Sequence, residues 1–275
     1  MDLTDILEVA GRTDTGQIRE QNEDSIGEEL ELGTVVLADG MGGYQGGEVA
    51  SAIAVNTVLN YLHEHLNEIH PGTLDKKTGY SKESLLARAA IAEANRTIVK
   101  ASESQPQYRG MGTTIVLGIF YDNRITVAHV GDSRMYRYRD GQLELLTLDH
   151  TLLQELVSRG FYTEQEANES LNKNLVTRAL GIDHEVVVDI HEGVTKTGDI
   201  YLLCSDGLHD MVTDEQIAEV IGAHRANLQA IADQLVKLAN EQGGRDNISV
   251  VLARPLKPYP APPQHWYRKV FEFLF

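Results

Sequence analysis

The chain has 275 residues, 42% hydrophobic and 24% charged, and carries a net charge of −17. Such a composition belongs to a globular protein with a sizeable core, and the acidity argues against a duplex nucleic-acid binder, which needs clustered Lys and Arg. The single cysteine, Cys204, excludes an internal disulfide and any multi-cysteine metal site, and its place in the apolar run "IYLLCSD" reads as core. No run approaches the roughly 20 apolar residues of a membrane helix. The start "MDLTDILEVAGRTD" lacks the basic end and apolar centre of a secretory signal, so a cytoplasmic location is expected.

In chain order, the run "GTVVLAD" reads as a first strand, and helical periodicity follows over Val49–Leu66 and Lys82–Ser102. The runs "GTTIVLGIF", "RITVAHVGD" and "RMYRYRDGQLELL" are strands rich in β-branched and aromatic residues, the last folded at Asp140-Gly141 as a tight hairpin. After a segment of uneven periodicity come "EVVVDI" and "DIYLLCSD". Two helices are then expected at Asp214–Ile221 and Ala226–Glu241, the first started by Thr213-Asp214 and stopped by Gly222. The strand "NISVVLA" closes the order. Hairpin neighbours outnumber β-α-β units, which predicts packed antiparallel sheets with helices outside. No composition break precedes Arg254, so residues 1–254 read as one domain. Five of the seven prolines lie between Pro255 and Pro263, so residues 255–275 read as a stiff linker and a short aromatic tail, "QHWYRKVFEFLF".

The stretch "VVLADGMGGYQGGEVAS" holds five glycines in eight residues after one aspartate. A dinucleotide fingerprint from Gly40 needs glycine where Gln45 stands, and a phosphate loop from Gly42 needs lysine where Glu48 stands. Attention therefore passes to the aspartates. Asp39 ends one apolar run, Asp206 ends "YLLCSDG", and Asp132 and Asp246 stand at other strand ends. A strand is a rigid mount that leaves a terminal carboxylate facing solvent. Clustered carboxylates repel one another and need cations, and an all-oxygen set favours hard ions such as Mg²⁺ or Mn²⁺. Gly40 can turn its carbonyl to such an ion at a backbone angle that other residues would resist. In "GQIREQNEDS", Arg19 offers the planar fork that binds two phosphate oxygens.

Read in order, "REQNEDS", "VVLADGMGG", "GMGTTIVLGIF", "ITVAHVGDSRMYRYRDGQLELLTLDH", "LVTRALG", "IYLLCSDGLHDMV" and "GGRDNISVVLA" resemble the metal-dependent serine/threonine protein phosphatases of type 2C, in their bacterial branch. The resemblance runs from about Gly11 to Arg254. It implies an α+β fold: a central β-sandwich of two antiparallel sheets flanked by helix pairs, in four layers, with a flap at about 149–181. It implies two ions, Mn²⁺ or Mg²⁺, bridged by Asp39 with the Gly40 carbonyl on one of them. Asp206 and Asp246 would complete the first site, and Glu23 and Asp24 would hold the second. Asp132 would form a third site with Asp206, with Asp210 a weaker candidate, and Arg19 would bind phosphate.

The implied reaction is hydrolysis of phosphoserine and phosphothreonine on proteins by water activated between the two ions, in a monomer that opposes a bacterial serine/threonine kinase. The alternatives are an inactive metal-binding scaffold and a hydrolase of another phosphate ester. Where many eukaryotic members carry a histidine after "DG", this chain has Met41, which donates no proton. His150 is a possible substitute, with a packing role the competing reading. His63, His65 and His70 read as surface residues.

Overall fold

The β-branched runs pair into two antiparallel sheets in a computed structural model that describes residue 3 and residues 5–42, 46–162 and 175–259. The centre of the flap, 163–174, and the tail from 260 onward lie outside these residues. The strands are β1 (Leu7–Asp14), β2 (Asp24–Glu29), β3 (Thr34–Met41), β4 (Gly112–Thr113), β5 (Ile115–Tyr121), β6 (Arg124–Val130), β7 (Arg134–Arg139), β8 (Gln142–Leu145), β9 (Asp189–Val194), β10 (Ile200–Cys204) and β11 (Ile248–Pro255). One sheet has the order β1-β11-β10-β7-β8 and the other β2-β3-β5-β6-β9, with β4 paired to β3. The helices are α1 (Gly46–His65), α2 (Lys82–Ser104), α3 (Leu152–Ser158), α4 (Asp206–His209), α5 (Asp214–Ala223) and α6 (Leu228–Glu241).

Alternation along the strands builds the layers. In β3, Val35 and Leu37 join Val116, Val127, Tyr201, Leu203 and Val251 in the core between the sheets. Val36 and Ala38, pointing the other way, pack with Ala54, Val58, Ala90 and Ile91 of α1 and α2. On the far side, Tyr136, Leu202, Val250 and Leu252 meet Ile217, Ile221, Ile231 and Leu235 of α5 and α6. Both faces of the central strands are thus covered, which is why they read as unbroken apolar runs. The four-layer arrangement is the expected one. Cys204 lies in the third of these clusters, fully buried.

The structure corrects three local expectations and adds two strands. Gly222 does not stop its helix, because α5 continues to Ala223. A Cβ at position 222 would lie 3.0 Å from the Tyr138 hydroxyl, so the glycine serves the close approach of α5 to β7. The start at Thr213 is as expected, as a reciprocal cap with Gln216. The run "EVVVDI" overlaps a strand only at its end: β9 begins at Asp189, where pairing with His129 begins. The third is Gly40, whose backbone does not take up the left-handed angle expected of it. β1 and the charged β2 have no strong apolar pattern. They form because β11 and β3 offer them edges. Packed chain also runs past Arg254: Tyr259 is buried, and its amide donates to Asn123 Oδ1 at 2.9 Å.

Leu203 is fully buried between the sheets, whereas Ile182 is 55% exposed. Leu203→Ala should lower unfolding free energy by about 2–5 kcal/mol in denaturant titration. Ile182→Ala should stay within about 0.5 kcal/mol of the parent. Equal losses would show that the inter-sheet layer does not carry the stability.

Candidate metal centre

Five aspartates reach one end of the sandwich, each from a different strand end. Asp24 and Asp39 are direct partners in the antiparallel register of β2 and β3, so adjacent strands set their carboxylates side by side. Asp132 sits in the short turn between β6 and β7, Asp206 begins α4 just after β10, and Asp246 precedes β11. Asp39 is fixed through its backbone: its amide donates to Thr114 Oγ1 at 3.2 Å, and its carbonyl accepts from the Thr114 amide and the Thr113 hydroxyl, both at 2.8 Å. Thr114 Oγ1 also bonds Ser133 Oγ at 2.7 Å, which joins the Asp39 strand to the turn carrying Asp132.

The charges are crowded. Burial, and then the charges of Asp24, Asp206, Asp132 and Asp246, hold the Asp39 carboxyl well above the usual range. Burial followed by Asp132, Asp246, Asp210 and Asp24 does the same to Asp206. Burial pushes Asp24 and Asp132 up to about 6, and raises Glu23. Asp210 lies close enough to raise both Asp132 and Asp206. Ser205 donates to Asp24 Oδ2 at 2.8 Å, while Asp24 Oδ1 is buried with no hydrogen-bond partner. An orphaned carboxylate oxygen within an all-oxygen set fits a hard divalent cation.

The N-terminal loop completes the rim. Arg19, about half exposed, donates from Nη2 to Asp246 Oδ2 at 2.5 Å. Glu23 lies against the first turn of α1, where the Gly47 amide bonds its carboxylate and the helix dipole favours negative charge. Gly40 donates its amide to the Glu23 carbonyl at 3.1 Å. Its φ is not left-handed, unlike that of Gly42 at 140°. The reason for glycine at 40 is space, since a Cβ would stand 2.2 Å from the Gly47 carbonyl oxygen and 2.5 Å from that of Glu23. Met41 ends β3 beside it.

Sequence reasoning passed over the residues that hold this loop. Asn247 donates from Nδ2 to the carbonyls of Thr15 (3.0 Å) and Gln21 (2.9 Å) and accepts the Glu23 amide on Oδ1 at 2.8 Å. One buried amide thus binds the segment carrying Arg19 and Glu23 to the strand carrying Asp246. The only sequence signal was an asparagine directly after a strand-end aspartate. His209, driven down to about 4 by burial and Arg134, donates from Nε2 to the Asp132 carbonyl at 3.2 Å. His150 is buried with both ring nitrogens engaged, so it is not placed to protonate the leaving group. His63 is exposed against Glu29, and His65 stacks on Tyr61.

Residues 17–253 match the family model described as Protein phosphatase 2C, and the chain belongs to that family. The serine/threonine protein phosphatase PstP of Mycobacterium tuberculosis is 39% identical over 253 residues, which cover 91% of this chain and 45% of the relative. The serine/threonine phosphatase stp of Listeria monocytogenes is 38% identical over 244 residues, covering 88% of this chain and 93% of the relative. The chain thus spans less than half the length of PstP and nearly all of the Listeria protein. The catalytic domain of PstP, solved in complex with two manganese ions, aligns with a TM-score of 0.77 at 37% identity, over 92% of this chain and 99% of that one. A crystal structure of the M. tuberculosis phosphatase reaches 0.80 at 38% identity, over 92% and 100%.

A carboxyl whose folded pKa is raised above its unfolded value stabilises the fold below the unfolded pKa and loses that contribution as pH rises through the folded one. In EDTA, Asp39→Asn should therefore melt above the parent at about pH 7.5, and the gap should narrow by about pH 5, below the raised range of Asp24 and Asp132 at about 6. The comparison cancels the buried histidines, which titrate alike in both proteins. A gap that is absent at the higher pH would contradict the crowding.

Proposed function

We propose that this chain is a metal-dependent phosphatase that hydrolyses phosphoserine and phosphothreonine on proteins. The observation that supports it most is the meeting of Asp24, Asp39, Asp132, Asp206 and Asp246 at one end of the sandwich, with an orphaned carboxylate oxygen inside and Arg19 on the rim. The names of the relatives point the same way.

In this reading Asp39 would serve both of two ions, manganese or magnesium, and the Gly40 carbonyl one of them, with Asp206 and Asp246 completing the first site and Glu23 and Asp24 the second. Asp132 and Asp206 would hold a third, with Asp210 a weaker candidate beside them. Bound ions supply Lewis acidity toward phosphoryl oxygens and lower the pKa of water. The protein's part is to hold the carboxylates rigidly against their repulsion, so that the cations and the developing phosphoryl charge meet a site already organised. Arg19 turns its fork from Asp246 to two phosphoryl oxygens and fixes the ester for in-line attack. Met41 offers no proton and His150 is turned into the wall, so the leaving serine or threonine oxygen takes its proton from water in the cleft. No described helix is long and apolar enough to cross a membrane. We place the protein in the cytoplasm as a monomer, acting on the substrates of a bacterial serine/threonine kinase, with residues 1–254 as the phosphatase domain.

Protein with Mn²⁺ should release phosphate from a phosphothreonine peptide and stop in EDTA, and Asp206→Asn should lower turnover by about 100-fold or more. Steady turnover in EDTA, or release only from small phosphate esters, would reject the reading. Arg19→Ala should raise KM for the peptide about 10-fold or more while changing kcat less, the loss expected of a charged hydrogen bond to substrate. An unchanged kcat/KM would remove Arg19 from phosphate binding.

A further inference from the structure

Behind the acidic cluster, His129, His150 and Asp189 offer three possible metal donors within 4.8 Å of one another. Two contacts close that possibility. The Gly131 amide donates to His150 Nδ1 at 3.1 Å, which uses that lone pair and puts the ring hydrogen on Nε2, facing Asp189 Oδ2 at 3.3 Å. Arg178 Nη1 already lies 3.2 Å from Asp189 Oδ1, and its place 3.3 Å from His150 Nε2 follows from sharing Asp189 with that ring. The cluster has its own cation, and its geometry describes a fastening.

His150 holds Gly131 at two points, its amide and its carbonyl. Its own amide donates to the Gly131 carbonyl at 3.0 Å, while its ring accepts the Gly131 amide. Gly131 is the residue before Asp132. The ring is 3% exposed and stacks on His129 at 4.7 Å, and His129 is itself held by donating to the Leu148 carbonyl at 2.9 Å. From the other side, the His150 carbonyl accepts the Thr177 amide at 2.8 Å, the Leu152 amide donates to the Leu175 carbonyl at 2.9 Å, and Thr151 bridges Val176. The two ends of the flap, 149–152 and 175–178, are thus joined at His150, and His150 is joined to the turn that presents Asp132.

We propose that His150 is a positioning residue: through its two-point hold on Gly131 it sets the orientation of Asp132 and fastens the flap stem to the acidic cluster. Without the ring acceptor, a buried amide next to Asp132 loses its partner, and the peptide must turn to find another. The effect would be felt where Asp132 binds its ion. The inference rests on the reading of Asp132 as a ligand.

The variants separate the bond from the bulk. His150→Phe keeps a stacked ring and removes the acceptor. His150→Gln keeps an amide near Asp189, also lacks the acceptor at Nδ1, and serves if the phenylalanine protein does not fold. His150→Asn places Oδ1 where Nδ1 stood. Proton exchange of the Gly131 amide, followed by NMR in EDTA, should quicken about 10-fold or more in Phe or Gln and stay slow in Asn. Mn²⁺ binding, counted by loss of the free-ion paramagnetic signal, should weaken for one ion about 10-fold in Phe or Gln and recover in Asn. His150→Phe should add nothing further to Asp132→Asn. If Asp132→Asn leaves Mn²⁺ binding unchanged, the ligand reading of Asp132 falls and the inference with it. If Asp132→Asn weakens binding but Phe and Gln do not, or Asn behaves as they do, the inference alone is overturned.

Discussion

The repulsion among Asp24, Asp39, Asp132, Asp206 and Asp246 is the constraint around which this fold is organised. Left to themselves, five carboxylates at one place would separate and hydrate. They stay because each is attached to a strand that the rest of the molecule cannot easily release. Asp39 extends from a strand covered on both faces, and its backbone amide and carbonyl are both held by the Thr113-Thr114 segment. The packing of two sheets and two helix layers therefore supplies the energy that keeps like charges together, and a bound cation would recover part of it.

Around that cluster a set of short polar ties converts separate strand ends into one object. Ser205 reaches Asp24, Thr114 reaches Ser133, His209 reaches the Asp132 carbonyl, and Asn247 binds three backbone groups of the N-terminal loop. All are neutral groups in buried or half-buried places, where an unmade hydrogen bond is costly. Their arrangement divides the site into a floor fixed by the sheets and a rim, Arg19 and Glu23, held by Asn247. His150 performs the same kind of service at the flap. A histidine that in sequence could pass for an acid is, in the fold, a neutral acceptor fixed by one backbone amide.

Much of the fold was legible because its central strands are apolar on both faces and α6 carries one clear apolar stripe. "GTVVLAD", "RITVAHVGD" and the Asp140-Gly141 hairpin lie where local pattern puts them, and α2 departs from its expected span by two residues. The elements that escaped are those whose pattern is weak alone. β2 is mostly polar and becomes a strand only because β3 offers it an edge. β9 starts where β6 provides partners, at His129, and not where the valines begin.

The sequence by itself determined the chemistry available: aspartates at strand ends, an arginine near the N-terminus, no usable thiol and a methionine after Gly40. Motif order alone pointed to the family. Tertiary structure decided how those residues act on one another, because pKa shifts, orphaned oxygens and tautomers depend on neighbours distant in sequence, such as Ser205 for Asp24 and Gly131 for His150. Asp24 is raised by burial against strands that arrive late in the chain, and Gly40 is required by the carbonyl of Gly47 rather than by its own torsion. Asn247 and His150 show the limit most clearly. A side-chain amide or imidazole has several possible partners in sequence, and only the folded chain selects which ones it meets.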